Sequence, residues 1–110
     1  MAIMTEVVTV VANTTSANLC AGKSAEFIKE PSIVTLSATG SAIGLYATMI
    51  VGEEVVIDDQ PIPLTNRFPI LPDDTMAQGG GYPGDRVNVR LRNSTAGNLT
   101  GWARVDIEPV

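Results

Sequence analysis

The sequence has no histidine, a single cysteine and few aromatic side chains, and each shortage removes a class of chemistry. Without histidine the chain lacks the commonest general base and the commonest transition-metal ligand. Cys20 cannot form an intrachain disulfide, and a lone thiol without histidine lacks the base that activates thiol enzymes. It reads as a small apolar residue in or near the core. No apolar run reaches the roughly 18 residues of a membrane-spanning helix, and MAIMTEVVTV lacks the charged leader of a signal peptide. Neither a membrane nor a secretory route is expected, so Asn13-Thr14-Thr15, Asn93-Ser94-Thr95 and Asn98-Leu99-Thr100 read as turn chemistry rather than glycosylation acceptors. No Gly-x-Ser-x-Gly elbow is present. The tract Gly79-Gly80-Gly81-Tyr82-Pro83-Gly84 lacks a Lys-Ser/Thr ending and precedes a strand pattern, which excludes a phosphate cradle.

What is present is aliphatic and β-branched. Hydrophobic residues make up 45% of the 110 positions and aromatics only 5%, so the core must be built from Val, Ile, Leu and Ala, a bias that favours strands. This length suits one domain able to bury a core without staples. The net charge of −5 is unevenly spread: residues 1–74 carry nine acidic and three basic side chains, residues 75–110 three acidic and four basic. An acidic chain does not bind phosphate backbones through its overall field, so nucleic acid is not an expected partner. Arg86, Arg90, Arg92 and Arg104 form a local basic strip, read first as a solvated face paired with Asp106 and Glu108 and second as a contact for an acidic protein surface.

The clearest periodicity lies at 84–110. Val87, Val89 and Leu91 alternate with Arg86, Asn88, Arg90 and Arg92; Leu99, Gly101, Ala103, Val105 and Ile107 alternate with Thr100, Trp102, Arg104, Asp106 and Glu108. Period two marks half-buried strands. The polar linker Asn93–Asn98 tolerates turn geometry, which predicts a C-terminal hairpin. Charge favours the register that sets Arg86 opposite Asp106 and Arg90 opposite Trp102 over one that opposes Arg86 to Arg104.

Earlier in the chain, Thr5–Ala12, Ala25–Glu30, Ser32–Ala38, Leu45–Val51 and Val55–Asp58 are strand candidates. Leu45–Val51 is apolar enough for burial on both faces and is joined to Val55–Asp58 through Gly52-Glu53-Glu54. NTTSANL at 13–19 echoes NSTAGNL at 93–99, which reads as the same hairpin solution used twice. Between Gln60 and Tyr82, four prolines and three glycines predict extended, irregular chain with at most short edge strands. No segment holds a 3.6-residue period. About six to eight short strands predict an all-β single domain, a β-sandwich or small barrel with a C-terminal hairpin and a long Pro/Gly-rich loop. Segments 1–12 and 60–83 are candidate arms toward a neighbouring subunit, having no obvious intrachain partner.

The adjacent carboxylates Glu53-Glu54, Asp58-Asp59 and Asp73-Asp74 could in pairs offer oxygens to Ca²⁺ or serve a glycosidase, but none has a spacing signature and acidic turn residues are ordinarily solvated. No cofactor or metal is therefore expected, nor an enzyme. Trp102, on the polar side of its strand, can anchor an interface or a sugar ring, or pack beneath Arg90 or a loop. The candidate interface residues are Trp102, Arg90, Arg92, Phe68 and Tyr82.

The order FPILPDD at 68–74, a glycine-rich tract, then PGDRVNVRLRNSTAGNLTGWARVDIEPV at 83–110 resembles the small all-β accessory proteins of tailed-phage virions, capsid decoration (cement) proteins being the nearest group. In that group a Gly-Asp turn opens a valine-alternating strand, an Asn-Ser/Thr turn follows, and the last strand ends near a proline. The resemblance covers residues 68–110 and carries over no catalytic residues. It implies a bacteriophage structural protein made in the host cytoplasm and held on the virion's outer capsid surface. Its expected partners are the major capsid protein and copies of itself in a homotrimer. An immunoglobulin-like module binding a glycan or a host surface protein, with Trp102 and the 60–83 loop at its site, is the alternative.

Overall fold

The structure is a computed structural model that describes residues 2–23, 26–62 and 75–109. Seven strands run in the order β1 (Ala2–Val10), β2 (Ser32–Gly40), β3 (Leu45–Val51), β4 (Glu54–Pro61), β5 (Thr75–Gly81), β6 (Val87–Asn93) and β7 (Leu99–Pro109). They form two antiparallel sheets, the four-stranded sheet 1 in the order β1-β7-β2-β5 and the three-stranded sheet 2 in the order β4-β3-β6. The fold is an all-β sandwich, as the alternation implied.

Each strand contributes its apolar parity to a single core between the sheets. Val34, Leu36 and Ala38 of β2 and Ala103, Val105 and Ile107 of β7 are buried from one side; Leu45, Ala47, Met49 and Val51 of β3 and Val87, Val89 and Leu91 of β6 are buried from the other. At about 25 cal/mol per Å² of apolar surface, each of the larger side chains stabilises the fold by roughly 1.5–3 kcal/mol before chain entropy is counted, and each alanine by less. Cys20 is wholly buried, with Leu19 and Ile28 beside it in the same core cluster. β3 departs from the expectation of burial on both faces: Tyr46, Thr48 and Ile50 stay half-buried while their neighbours are enclosed, because sheet 2 has only one covered side.

The C-terminal hairpin is the main correction. β6 pairs with β3 (Met49 opposite Val89) and β7 pairs with β1 and β2 (Val7 and Thr39 opposite Trp102), so the two strands belong to different sheets. The Arg86–Asp106 and Arg90–Trp102 pairs therefore do not form. Alternation tells which face of a strand is buried, not which strand lies alongside, and two inward faces can coincide by facing each other across a core as well as by pairing in a ladder. Asn93–Asn98 is an arch from one sheet to the other. Buried Asn93 holds it, its Nδ2 donating to Val10 O at 2.9 Å and Gly97 O at 2.7 Å, its Oδ1 accepting from Thr95 N at 2.8 Å and Thr95 Oγ1 at 2.7 Å. The expected hairpin at Gly52 is present between β3 and β4, with Gly52 at φ 61°, a left-handed turn position suited to glycine.

The echoed segment 13–19 is not a hairpin either. With the described residues to 23 and at 26–28 it runs along the outer edge of β6. Ser16 N donates to Leu91 O at 2.8 Å, Leu19 N to Val89 O at 2.8 Å and Val87 N to Glu26 O at 2.7 Å. The two echoed segments meet: Asn13 N donates to Thr95 O at 3.0 Å and Ala12 N to Asn98 Oδ1 at 3.0 Å. Within 25–30 there is no strand among the described residues, only an isolated bridge between Phe27 and Arg86. The expectation that residues 1–12 lack an intrachain partner fails, because β1 pairs along its whole length with β7.

Candidate interaction surfaces

The sandwich places the sequence's candidate residues on opposite outer faces. On sheet 2, the register of β3 and β6 sets Tyr46 beside Arg92 and Thr48 beside Arg90. The Arg92 guanidinium lies 4.5 Å from the Tyr46 ring centroid and donates to both carboxylate oxygens of Asp59 at 2.8 Å, a charge-assisted fork over an aromatic face. The hydrogen bond from Arg92 holds the Asp59 carboxyl below the usual carboxylate range, and Asp59 in turn raises Arg92. Asp59 adopts φ 55°, within a strand whose pairing with β3 is irregular on either side of Met49. Arg90 is exposed and donates to Ser16 O at 3.2 Å.

The basic strip is thus divided rather than continuous. Arg86 pairs with Glu26 at 3.0 Å, Arg92 with Asp59, and Arg104, on the other sheet, with Asp106 at 2.8 Å. Only the Arg104–Asp106 pair agrees with the partners expected from sequence. Sequence spacing could not supply Glu26 or Asp59, since both arrive through long-range folding.

On sheet 1, the outer parity of β7 carries Thr100, Trp102, Arg104 and Asp106, flanked by Ile3, Thr5, Val7 and Thr9 of β1 and by Ile33, Thr35, Ser37 and Thr39 of β2. Trp102 is half-buried, opposite Val7 on one side and Thr39 on the other. It does not lie by Arg90, which is on the other sheet. Ile3 is 50% exposed and Val7 48%. At the end of the same face, Pro31, Ser32, Ile33, Gly80, Gly81 and Tyr82 line an open, mainly apolar groove of about 260 Å³, with Tyr82 exposed at its rim. The structure therefore associates Trp102 and Tyr82 with one face and Arg90 and Arg92 with the other; Phe68 lies outside the described residues. The aliphatic members of the sheet 1 face, Ile3, Val7 and Ile33, carry no signal in the sequence because period two alone does not say which apolar residues fall on an outward parity among threonines and serines.

No three acidic or cysteine side chains gather into a metal-holding group among the described residues, and Asp73-Asp74 lies outside them. Cys20, enclosed near Glu26, has its thiol pushed up to about 11 by burial and secondarily by that charge, which keeps it a neutral thiol near pH 7. Comparison with protein-family models, with curated proteins and with solved structures finds no match for this chain.

Proposed function

We propose that the chain is a non-enzymatic structural subunit of a phage virion, a decoration or cement protein that binds the outer capsid surface and stabilises the shell. Its partners in this reading are the major capsid protein and further copies of itself, as a homotrimer, after synthesis in the host cytoplasm. The observation that carries the reading is the outer face of sheet 1: Val7 lies beside half-buried Trp102, and Ile3 and Ile33, like Val7 about half exposed, stand further along the same face opposite Asp106 and Glu108. Exposed aliphatic side chains and a tryptophan on a rigid sheet face suit adhesion to another protein surface. The phage-like pattern at 68–110 names the kind of surface.

The test is co-sedimentation of the purified protein with tailed-phage capsids stripped of their accessory proteins. Saturable binding that protects the shell against heating, and that Ile33→Asp abolishes without unfolding the protein, is the expected result. No binding to any capsid of the panel would sink the proposal. A second reading, glycan recognition, draws on exposed Tyr82 at the rim of the groove beside Ile33. Glycan-array binding lost in Tyr82→Ala would favour it.

A further inference from the structure

We infer that the outer edge of β1, which pairs with no other strand among the described residues, pairs with the β1 edge of a second copy, antiparallel about a two-fold axis at Val7, to give one continuous eight-stranded sheet. Unpaired N–H and C=O groups at a sheet edge are a template for another strand, and proteins ordinarily blunt such edges. Three of the four edges here are blunted. The β6 edge is occupied by residues 14–19 and 26–28, including the Asn18 side chain, which donates to Val87 O at 3.2 Å and accepts from Val89 N at 2.9 Å. β4 has two irregularities in its pairing, left-handed Asp59, and the charges of Glu54, Asp58 and Asp59 before a terminal proline. β5 is bulged against β2 and ends in three glycines, with Gly79 close against Val56 of β4. β1 is different: nine consecutive residues pair with β7 without a shift, and Glu6 is its only charge, neutralised by Lys23 at 2.9 Å.

The partner is a second copy because the exposed row reads the same in both directions. Antiparallel pairing keeps outer faces together only when residues of equal parity oppose one another. Centred on Val7, such a pairing sets Val7 against Val7, Thr5 against Thr9 and Ile3 against Val11, the residue just past the end of β1. Ile3, Val7 and Val11 are about half exposed on the single chain. On the inner side Glu6 meets Val8 and Met4 meets Val10. The register centred one residue earlier would put Glu6 directly against Glu6, a like-charge contact, and would set Ile3 against Thr9. One centred on Thr5 would leave Val11 unmatched. An isologous edge of this kind closes at two copies.

This pairing goes beyond the capsid reading and needs no capsid, and it gives a two-fold pair where the phage resemblance implies a trimer. It is tested by sedimentation across roughly two decades of concentration, with covalent trapping to report the register. The wild type should show a reversible dimer. Val7→Lys brings two ammonium groups together at the axis and should weaken the dimer about tenfold or more while leaving the circular dichroism spectrum unchanged. Under mild oxidation Val7→Cys should form an intermolecular disulfide, because directly opposed residues of an antiparallel pair have Cα atoms about 4.5–5.5 Å apart, within the disulfide range. Thr9→Cys should not, since in this register it faces Thr5. A monomer at every concentration, a trimer indifferent to Val7→Lys, or a dimer trapped at Thr9 in place of Val7 would each overturn the pairing. Capsid co-sedimentation by Val7→Lys reports separately on the function proposed above.

Discussion

Single buried polar groups set the local order of this fold, and Asn18 is the clearest. Its Oδ1 accepts from Val89 N at 2.9 Å and Cys20 N at 3.0 Å while its Nδ2 donates to Val87 O, so one amide completes the ladder where the main chain leaves it. Asn18→Ala strands two donors and an acceptor in a buried place, and chemical denaturation should show a loss of about 2–4 kcal/mol. Cys20 gives a pH signature. The unfolded thiol ionises near 9.0 and the folded one near 11, so between those values only the unfolded chain releases the proton. The stability this group confers is complete below pH 9 and is lost as pH rises toward 11. Melting temperature should therefore fall more steeply over that interval in the wild type than in Cys20→Ala. Cys20 as a core residue was legible from its being solitary and apolar in setting. The role of Asn18 was not, because a side chain that imitates a peptide group looks in sequence like any turn asparagine.

Among the elements, most strands are visible in the sequence, except β5 inside the segment read as irregular chain, and their neighbours are not. Ser32–Ala38 and Leu45–Val51 lie within β2 and β3, and the β3–β4 hairpin stands because a two-residue turn constrains both its strands. The arch between β6 and β7 shows what parity can and cannot say. The register that sets Arg90 opposite Trp102 would also set Leu91 opposite Gly101, and the two do meet, but across the core: a Cβ built on Gly101 would stand 2.6 Å from Leu91 Cδ1 and 3.5 Å from Leu45 Cδ1. Facing layers and paired neighbours satisfy the same alternation; only the outward residues, Arg90 and Trp102, reveal the difference by ending on opposite sides. Gly101→Val should destabilise by about 1–3 kcal/mol through overpacking, and pairing it with Leu91→Ala should recover part of the loss in a double-mutant cycle. Additive losses would place the two residues apart.

At the scale of the molecule, one core joins both sheets, so neither layer is stable alone. Leu36→Ala in β2 should cost about 2–5 kcal/mol, and slow amide exchange should accelerate equally at Val105 and, in the other sheet, at Val89. Exchange that rose only in sheet 1 would indicate two separable units. The order β1-β7-β2-β5 has one more consequence, and it concerns time. β1 and β2 are not neighbours; β7 lies between them and pairs with both along nearly its whole length. A ribosome emitting roughly 5–20 residues per second releases β1 and β2 several seconds before the strand that joins them. The four-stranded sheet therefore cannot assemble during most of synthesis, and the chain folds late, as a unit, at the millisecond-to-second pace of non-local β topologies.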